Sequence, residues 1–207
     1  MARIRKIRRV EQRAAKCDIE VAEHHNFFAN GILVHNCTMY SDGSHARSID
    51  SRHHPSRDWL KSLQGRVGHL IPAGWRVCGE NMYALHSLGY DKLPSYFLVF
   101  SIWNEKNECL SWDDTVEWCE LLGLTHVPVL YRGIYWEEAI QALWEPGVPS
   151  GFGPESEGYV IRFADGFHYS DFSQRLAKVV RPGHVQTDEH WMNKPVVPNE
   201  LDNADSS

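Results

Sequence analysis

The sequence has no uninterrupted apolar run of the roughly 20 residues needed to cross a bilayer. Its basic opening, residues 1–10, has no apolar stretch behind it of the kind a secretory leader needs. Neither a membrane span nor a leader is expected, and the chain reads as cytoplasmic. Cysteine is scarce: the five in 207 residues are Cys17, Cys37, Cys78, Cys109 and Cys119, and none forms a C-x-x-C pair. An odd, scattered set excludes a disulfide scaffold, offers no zinc-ligand spacing and points to reduced thiols. Positive charge is also short, with 21 Lys and Arg against 27 Asp and Glu, a net of −6. Binding of nucleic acid by bulk charge is therefore not expected, which leaves a local basic groove for such contacts. What is present, 43% apolar and 23% charged residues, is the composition of a folded soluble protein. No internal repeat is visible.

The average charge hides a break. Residues 1–36 carry seven basic and four acidic side chains, a net of +3, whereas residues 37–207 carry a net of −9. All eight Trp lie after Asn36. The first segment is too short for a core of its own, so it docks on its own chain or completes a partner. Cys17-Asp18-Ile19-Glu20-Val21 alternates like a strand, and Gly31-Ile32-Leu33-Val34 reads as another, with Asn30-Gly31 as a turn signal. The basic residues between 3 and 13 suit an acidic partner surface, or else form a solvated or nucleic-acid-binding arm.

This segment ends in reactive residue types. Cys37 offers a thiolate that can accept an acyl group. The side-chain amide of Asn36 can attack its own backbone carbonyl and cut the chain after itself. His35 is placed for acid–base help near neutral pH. Residues 17–37, CDIEVAEHHNFFANGILVHNC, closely resemble the C-terminal splicing blocks of inteins. That resemblance implies that Cys37 is the acceptor nucleophile and that Asn36 cyclises with help from His35 and His25. It also implies that Asp18 activates the nucleophile. Cys17, where the family often has Tyr, reads as packing. The layout resembles the C-terminal fragment of a split intein, a β-strand piece of an all-β Hint domain that needs a partner polypeptide carrying the N-terminal fragment.

From residue 38 on, the pattern is mixed. Residues 38–40 read as a strand before a Ser41-Asp42-Gly43 turn, and residues 96–103 as a strongly β-forming run. Ser111-Trp112-Asp113-Asp114 resembles a capping box, opening a helix to Leu122 with Gly123 as its stop. Residues 136–144 read as a second helix, 146–154 as a Gly/Pro-rich loop, and 158–163 and 177–181 as strands. Residues 195–207 read as a polar, frayed tail.

Four pieces of this region, in order, resemble motifs of the covalent nucleotidyltransferases, most closely the phage-type ATP-dependent RNA ligases. They are Cys78-Gly79-Glu80-Asn81, the aromatic strand Phe97-Leu98-Val99-Phe100-Ser101-Ile102, Glu157-Gly158-Tyr159-Val160-Ile161-Arg162, and residues 178–181. The resemblance implies an α+β nucleotidyltransferase domain with antiparallel sheets, using ATP and Mg²⁺ to join RNA ends through AMP intermediates. Phe100 would stack on adenine. Glu80 and Glu157 would hold ribose or metal, with Glu157 the tentative metal ligand. Arg47, Lys178 and Arg181 would contact phosphates. Because residues three apart alternate sides of a strand, Lys178 and Arg181 face opposite ways if both are extended. His184, Asp188 and His190 read as part of a polar tail.

One family motif is missing. These enzymes attach AMP to a lysine in K-x-D/H-G-x-N, and no such run occurs here. The strand and D-G turn that follow that motif in the family correspond to residues 38–43, which begin at the Asn36-Cys37 junction. The two resemblances together imply a divided ligase. Residues 1–36 would be the splicing fragment, 37–194 the incomplete ligase domain and 195–207 the tail, with the lysine arriving on a partner chain. The alternatives are a non-catalytic module that binds nucleic-acid ends, a DNA ligase or capping enzyme sharing these motifs, and an engineered intein fusion.

Overall fold

The computed structural model describes residues 28–29, 32–33, 36–46, 55–85, 88–145, 149–156, 158–180 and 196–202. Among them the architecture is mixed α/β with antiparallel sheets, as expected of an α+β domain. In chain order the strands are β1 (Phe28–Ala29), β2 (Ile32–Leu33), β3 (Asn36–Tyr40), β4 (Gly43–Ala46), β5 (Arg76–Asn81), β6 (Phe97–Trp103), β7 (Glu108–Cys109), β8 (Thr125–His126), β9 (Gly158–Arg162), β10 (Phe167–His168) and β11 (Leu176–Val180). The helices are α1 (Pro55–Val67), α2 (Trp112–Leu122), α3 (Glu137–Gln141) and α4 (Phe172–Arg175).

β1 and β2 pair antiparallel, with Phe28 opposite Leu33 and Ala29 opposite Ile32, on either side of the Asn30-Gly31 turn signal. The strand expected at residues 17–21 lies outside the described residues. The main sheet runs β10-β7-β6-β5-β3-β4, and β8 adds to β6 in parallel. A separate antiparallel pair joins β9 to β11.

One face of the main sheet carries the core. Cys37 and Met39 of β3, Val77 of β5, and Phe97, Val99 and Ile102 of β6 pack with Leu60, Leu63 and Val67 of α1 and with Cys119 and Leu122 of α2. α1 is a helix that the sequence patterns above do not include, although several helix signals are present. Pro55 suits a first helical turn, Asp58 and Arg66 match the helix dipole, and Leu60, Leu63 and Val67 make one buried stripe. Gln64 of α1 donates to the carbonyl of Tyr40 at 3.1 Å, fixing the helix over the β3–β4 turn.

α2 follows its sequence signals closely. Ser111 accepts from the Asp114 backbone N–H at 3.1 Å, and Gly123 closes the helix at φ 63°, a left-handed value that favours glycine. The second expected helix is shorter than its pattern, at Glu137–Gln141 instead of 136–144. Ile140 is its one buried residue, so there is no apolar stripe to support further turns.

The tail requires a correction. Residues 196–202 are not frayed but lie along the 82–93 loop. Asn199 is 4% exposed and donates to the carbonyls of Met82 at 2.8 Å and Ala84 at 3.3 Å. Its side-chain oxygen accepts from Tyr90 N–H at 3.0 Å. Backbone bonds from Leu85 to Val197 and from Leu93 to Glu200 extend the contact. The polar composition that suggested fraying instead satisfies a loop's backbone groups.

Candidate functional site

The face of the main sheet opposite α1 is built by strand alternation. Cys37 and Met39 of β3 pair with Gly79 and Val77 of β5 on the core side, so Thr38, Cys78 and Glu80 point the other way. Glu80 lies directly opposite Leu98 of β6 and Asn36 of β3, and is half-buried. Gly79 before it cannot carry a side chain, because a Cβ there would come within 2.5 Å of the Phe97 ring and 2.8 Å of the Leu98 carbonyl. That close approach explains the Gly-Glu pair at this point of the strand.

Phe100 occupies an irregularity. Cys78 pairs with Ser101 and Gly79 with Val99, so Phe100 is the extra residue of a β-bulge. The bulge flips the alternation of β6: Phe97 and Val99 face the core at a spacing of two, and Ile102 follows at three. Phe100 is the one β6 residue that is not buried. A strand otherwise buried along its length thus leaves one aromatic residue partly uncovered.

The β9–β11 sheet is tied to this strand. Arg162 donates through Nη1 to the Phe100 carbonyl at 2.9 Å and through Nη2 to the Leu110 carbonyl at 3.0 Å. Its guanidinium also lies 5.5 Å from the Trp112 ring centre and 5.9 Å from that of Phe167. On the paired strands, Arg162 faces Leu176, and Val160 faces Lys178. Residues two apart share a face, so Lys178 lies on the side of the small sheet that Arg162 turns toward Phe100. Lys178 is half-buried and Val160 is 51% exposed, so that face is open along part of its length. Glu80 therefore lies on the strand next to the one that carries Phe100, and Lys178 lies on the small sheet that Arg162 ties to that strand.

Comparison with known protein families matches residues 28–180 to RNA ligase. The chain belongs to the RNA ligase family. No curated protein and no solved structure matches it. The RNA ligase match spans Glu80, Phe100, Glu157 and Lys178, and it begins before Asn36, within the segment that resembles an intein.

In this RNA ligase chain, Cys37 is placed in the core. It pairs with Ala46 of β4 and Gly79 of β5 and is 5% exposed. Burial pushes its thiol up to about 11, outweighing a hydrogen bond from Asn81 Nδ2 at 3.6 Å. Burial likewise pushes up the Cys78 and Cys109 thiols, and takes that of Cys119 to about 12. The backbone of Asn36 opens β3; its side chain lies outside the described residues, as do Asp18, His25, His35, Arg47, Glu157 and Arg181. Among the described residues, no three His, Cys, Asp or Glu side chains gather to hold a metal ion. No helix among them is long and apolar enough to cross a membrane. Of the expected ligase residues, Glu80, Phe100 and Lys178 can be placed. Arg162 and Asn199 were missed as organising residues. Arg162 was visible as the last position of the E-G-x-V-x-R run, whereas a lone Asn in a polar tail carries no sequence signal.

Proposed function

We propose that residues 37–180 are the larger part of an ATP-dependent RNA ligase, completed by a lysine-bearing segment joined at Cys37. The observation that carries this reading is the bulge at Phe100. It leaves one aromatic residue partly uncovered on a buried strand, next to the strand that carries Glu80 and held by the sheet that bears Lys178. In the proposed reaction the lysine of the joined segment attacks the α-phosphorus of ATP and pyrophosphate leaves. AMP passes to an RNA 5′-phosphate, and a 3′-hydroxyl attacks that phosphate, releasing AMP. Phe100 stacks on adenine. Lys178, with Arg47 and Arg181, neutralises charge building on phosphoryl oxygens. Glu80 and Glu157 supply hard oxygen donors, and one or two carboxylates with substrate phosphates suit Mg²⁺. The ion adds to that neutralisation when bound.

Residues 17–37 make the joining bond in the same reading. The Cys37 thiolate attacks the carbonyl carbon of a thioester on the partner precursor and displaces the partner's thiolate. The Asn36 side-chain nitrogen then attacks its own backbone carbonyl carbon. The 36–37 peptide bond breaks, leaving a succinimide on the splicing fragment and a free α-amine on Cys37. That amine attacks the new thioester, forming an amide and returning the thiol. His35 and His25 move protons for the cyclisation, and Asp18 supports nucleophile activation.

A test mixes the chain with a partner carrying the N-terminal intein blocks and a K-x-D-G-x-N segment. Joined product should appear, Asn36→Ala should retain the splicing fragment, and Cys37→Ala should give no joining. The isolated chain should take up no labelled AMP, and the joined product should. Glu80→Ala or Lys178→Ala in the joined product should abolish adenylation or ligation; full activity in both would sink the ligase assignment of these residues.

A second reading is favoured by the start of the family match at residue 28 and by the continuation of β3 through Asn36. In it, residues 28–36 are the leading hairpin of the ligase domain itself and no splicing occurs. The same mixture separates the two, because only the first yields a longer product.

A further inference from the structure

The residues on which splicing depends are also residues of the ligase sheet. β3 pairs on both sides, Cys37 with Ala46 and with Gly79, and Asn36 pairs with Glu80. The Cys37 thiol packs in the cluster that holds Met39, Leu60 and Phe97. Acyl transfer needs the thioester carbonyl carbon about 3–3.5 Å from Sγ in an open approach. A thiol enclosed by a strand on each side and a helix over it has no such approach. Cyclisation of Asn36 needs its side chain folded back on its own carbonyl carbon, with the 36–37 peptide free to rotate. Strand pairing holds that peptide extended.

Resting on the splicing reading above, we propose that docking of β3 into the ligase sheet and splicing at the Asn36-Cys37 bond exclude each other, so that the cargo's own fold gates joining. Splicing runs from the chain with β3 undocked. Docking afterwards stores the finished junction in the core. Burial then retires the nucleophile, since a thiol titrating at about 11 contributes little thiolate near neutral pH. Two local contacts set how firmly β3 docks. One is the bare Cα of Gly79, which lets Phe97 lie against β5. The other is the bond from Gln64 to the Tyr40 carbonyl at 3.1 Å.

The full chain and its partner precursor provide the test, with two measurements on each variant. One is the rate of iodoacetamide labelling at Cys37, mapped by mass spectrometry on the chain alone. The other is the rate of joined product after mixing. Gly79→Val places carbon where 2.5 Å separates an ideal Cβ from Phe97, and overpacking of this kind should raise both rates about tenfold or more. Gln64→Ala should raise both by a smaller, matched factor. If Gly79→Val unfolds the cargo, labelling and joining should still both rise. Faster labelling with an unchanged joining rate in these variants overturns the gate. Rapid labelling in Gly79→Val with no joined product from any chain overturns the splicing reading, and the gate with it.

Discussion

Arg162 donates to the backbone oxygen of Phe100 at 2.9 Å, across 62 residues of chain. The same guanidinium donates to Leu110 at 3.0 Å and to the Cys109 sulfur at 3.6 Å. One planar fork therefore holds the small sheet, the bulged strand and the start of α2. Lysine has neither the reach nor the planar set of donors to replace it. Arg162→Lys should cost about 2 kcal/mol, close to the cost of Arg162→Ala, because each variant leaves carbonyls unpaired. Thermal denaturation checks this; a lysine variant as stable as the wild type would show that charge alone suffices.

Asn199 makes the corresponding connection for the 82–93 loop. Asn199→Ala removes two donors and one acceptor from backbone groups of that loop and should cost about 2–3 kcal/mol. Asn199→Asp should cost more, since a carboxylate would then face the Met82 and Ala84 carbonyls. Hydrogen exchange should locate the loss of protection in residues 82–93, and a uniform loss across the chain would contradict the local role.

Phe100 should matter for nucleotide more than for stability. In the joined ligase, Phe100→Ala should raise the KM for ATP about tenfold or more, given that base stacking contributes about 1–3 kcal/mol. Phe100→Tyr should keep most of the affinity. The reverse pattern, a large drop in Tm with an unchanged KM, would assign the ring to packing.

Alkaline pH should loosen β3. Burial raises the Cys37 thiol from 9.0 to about 11, so the docked strand holds the proton more tightly than the free one. Its contribution to docking is whole below pH 9 and is lost as pH climbs toward about 11. Protection of Cys37 from labelling, corrected for the rise in free thiolate, should decline in that window. A protection factor that stays flat from pH 8 to about 11 would show that the strand does not open through this thiol.

Local chemistry was legible where one short run determined it. Ser111, Gly123 and the acidic first turn marked α2 to the residue, because capping and helix termination act within a few positions. The aromatic run marked β6 as a strand, whereas its pairing with the strand that carries the Gly-Glu pair was not legible. The bulge was not legible, since it arises from the register between Cys78 and Ser101 and not from either strand alone. α1 was not legible because His54, the residue before Pro55, is not one of the Ser, Thr, Asp or Asn side chains that mark a helix start. The Asn199 contacts lie more than 100 residues from their partners in sequence, and no periodicity reports on that distance.

The contact between Asn199 and Tyr90 spans 109 positions. A ribosome adding roughly 5–20 residues per second takes on the order of 5–20 s to travel that far. During that interval the loop beside Glu80 has been synthesised but lacks the residues that fix it. The residue that fastens the loop thus emerges 109 positions after Tyr90, and a nascent chain that has not yet reached Asn199 can carry every motif in residues 78–181 with that loop still unfastened.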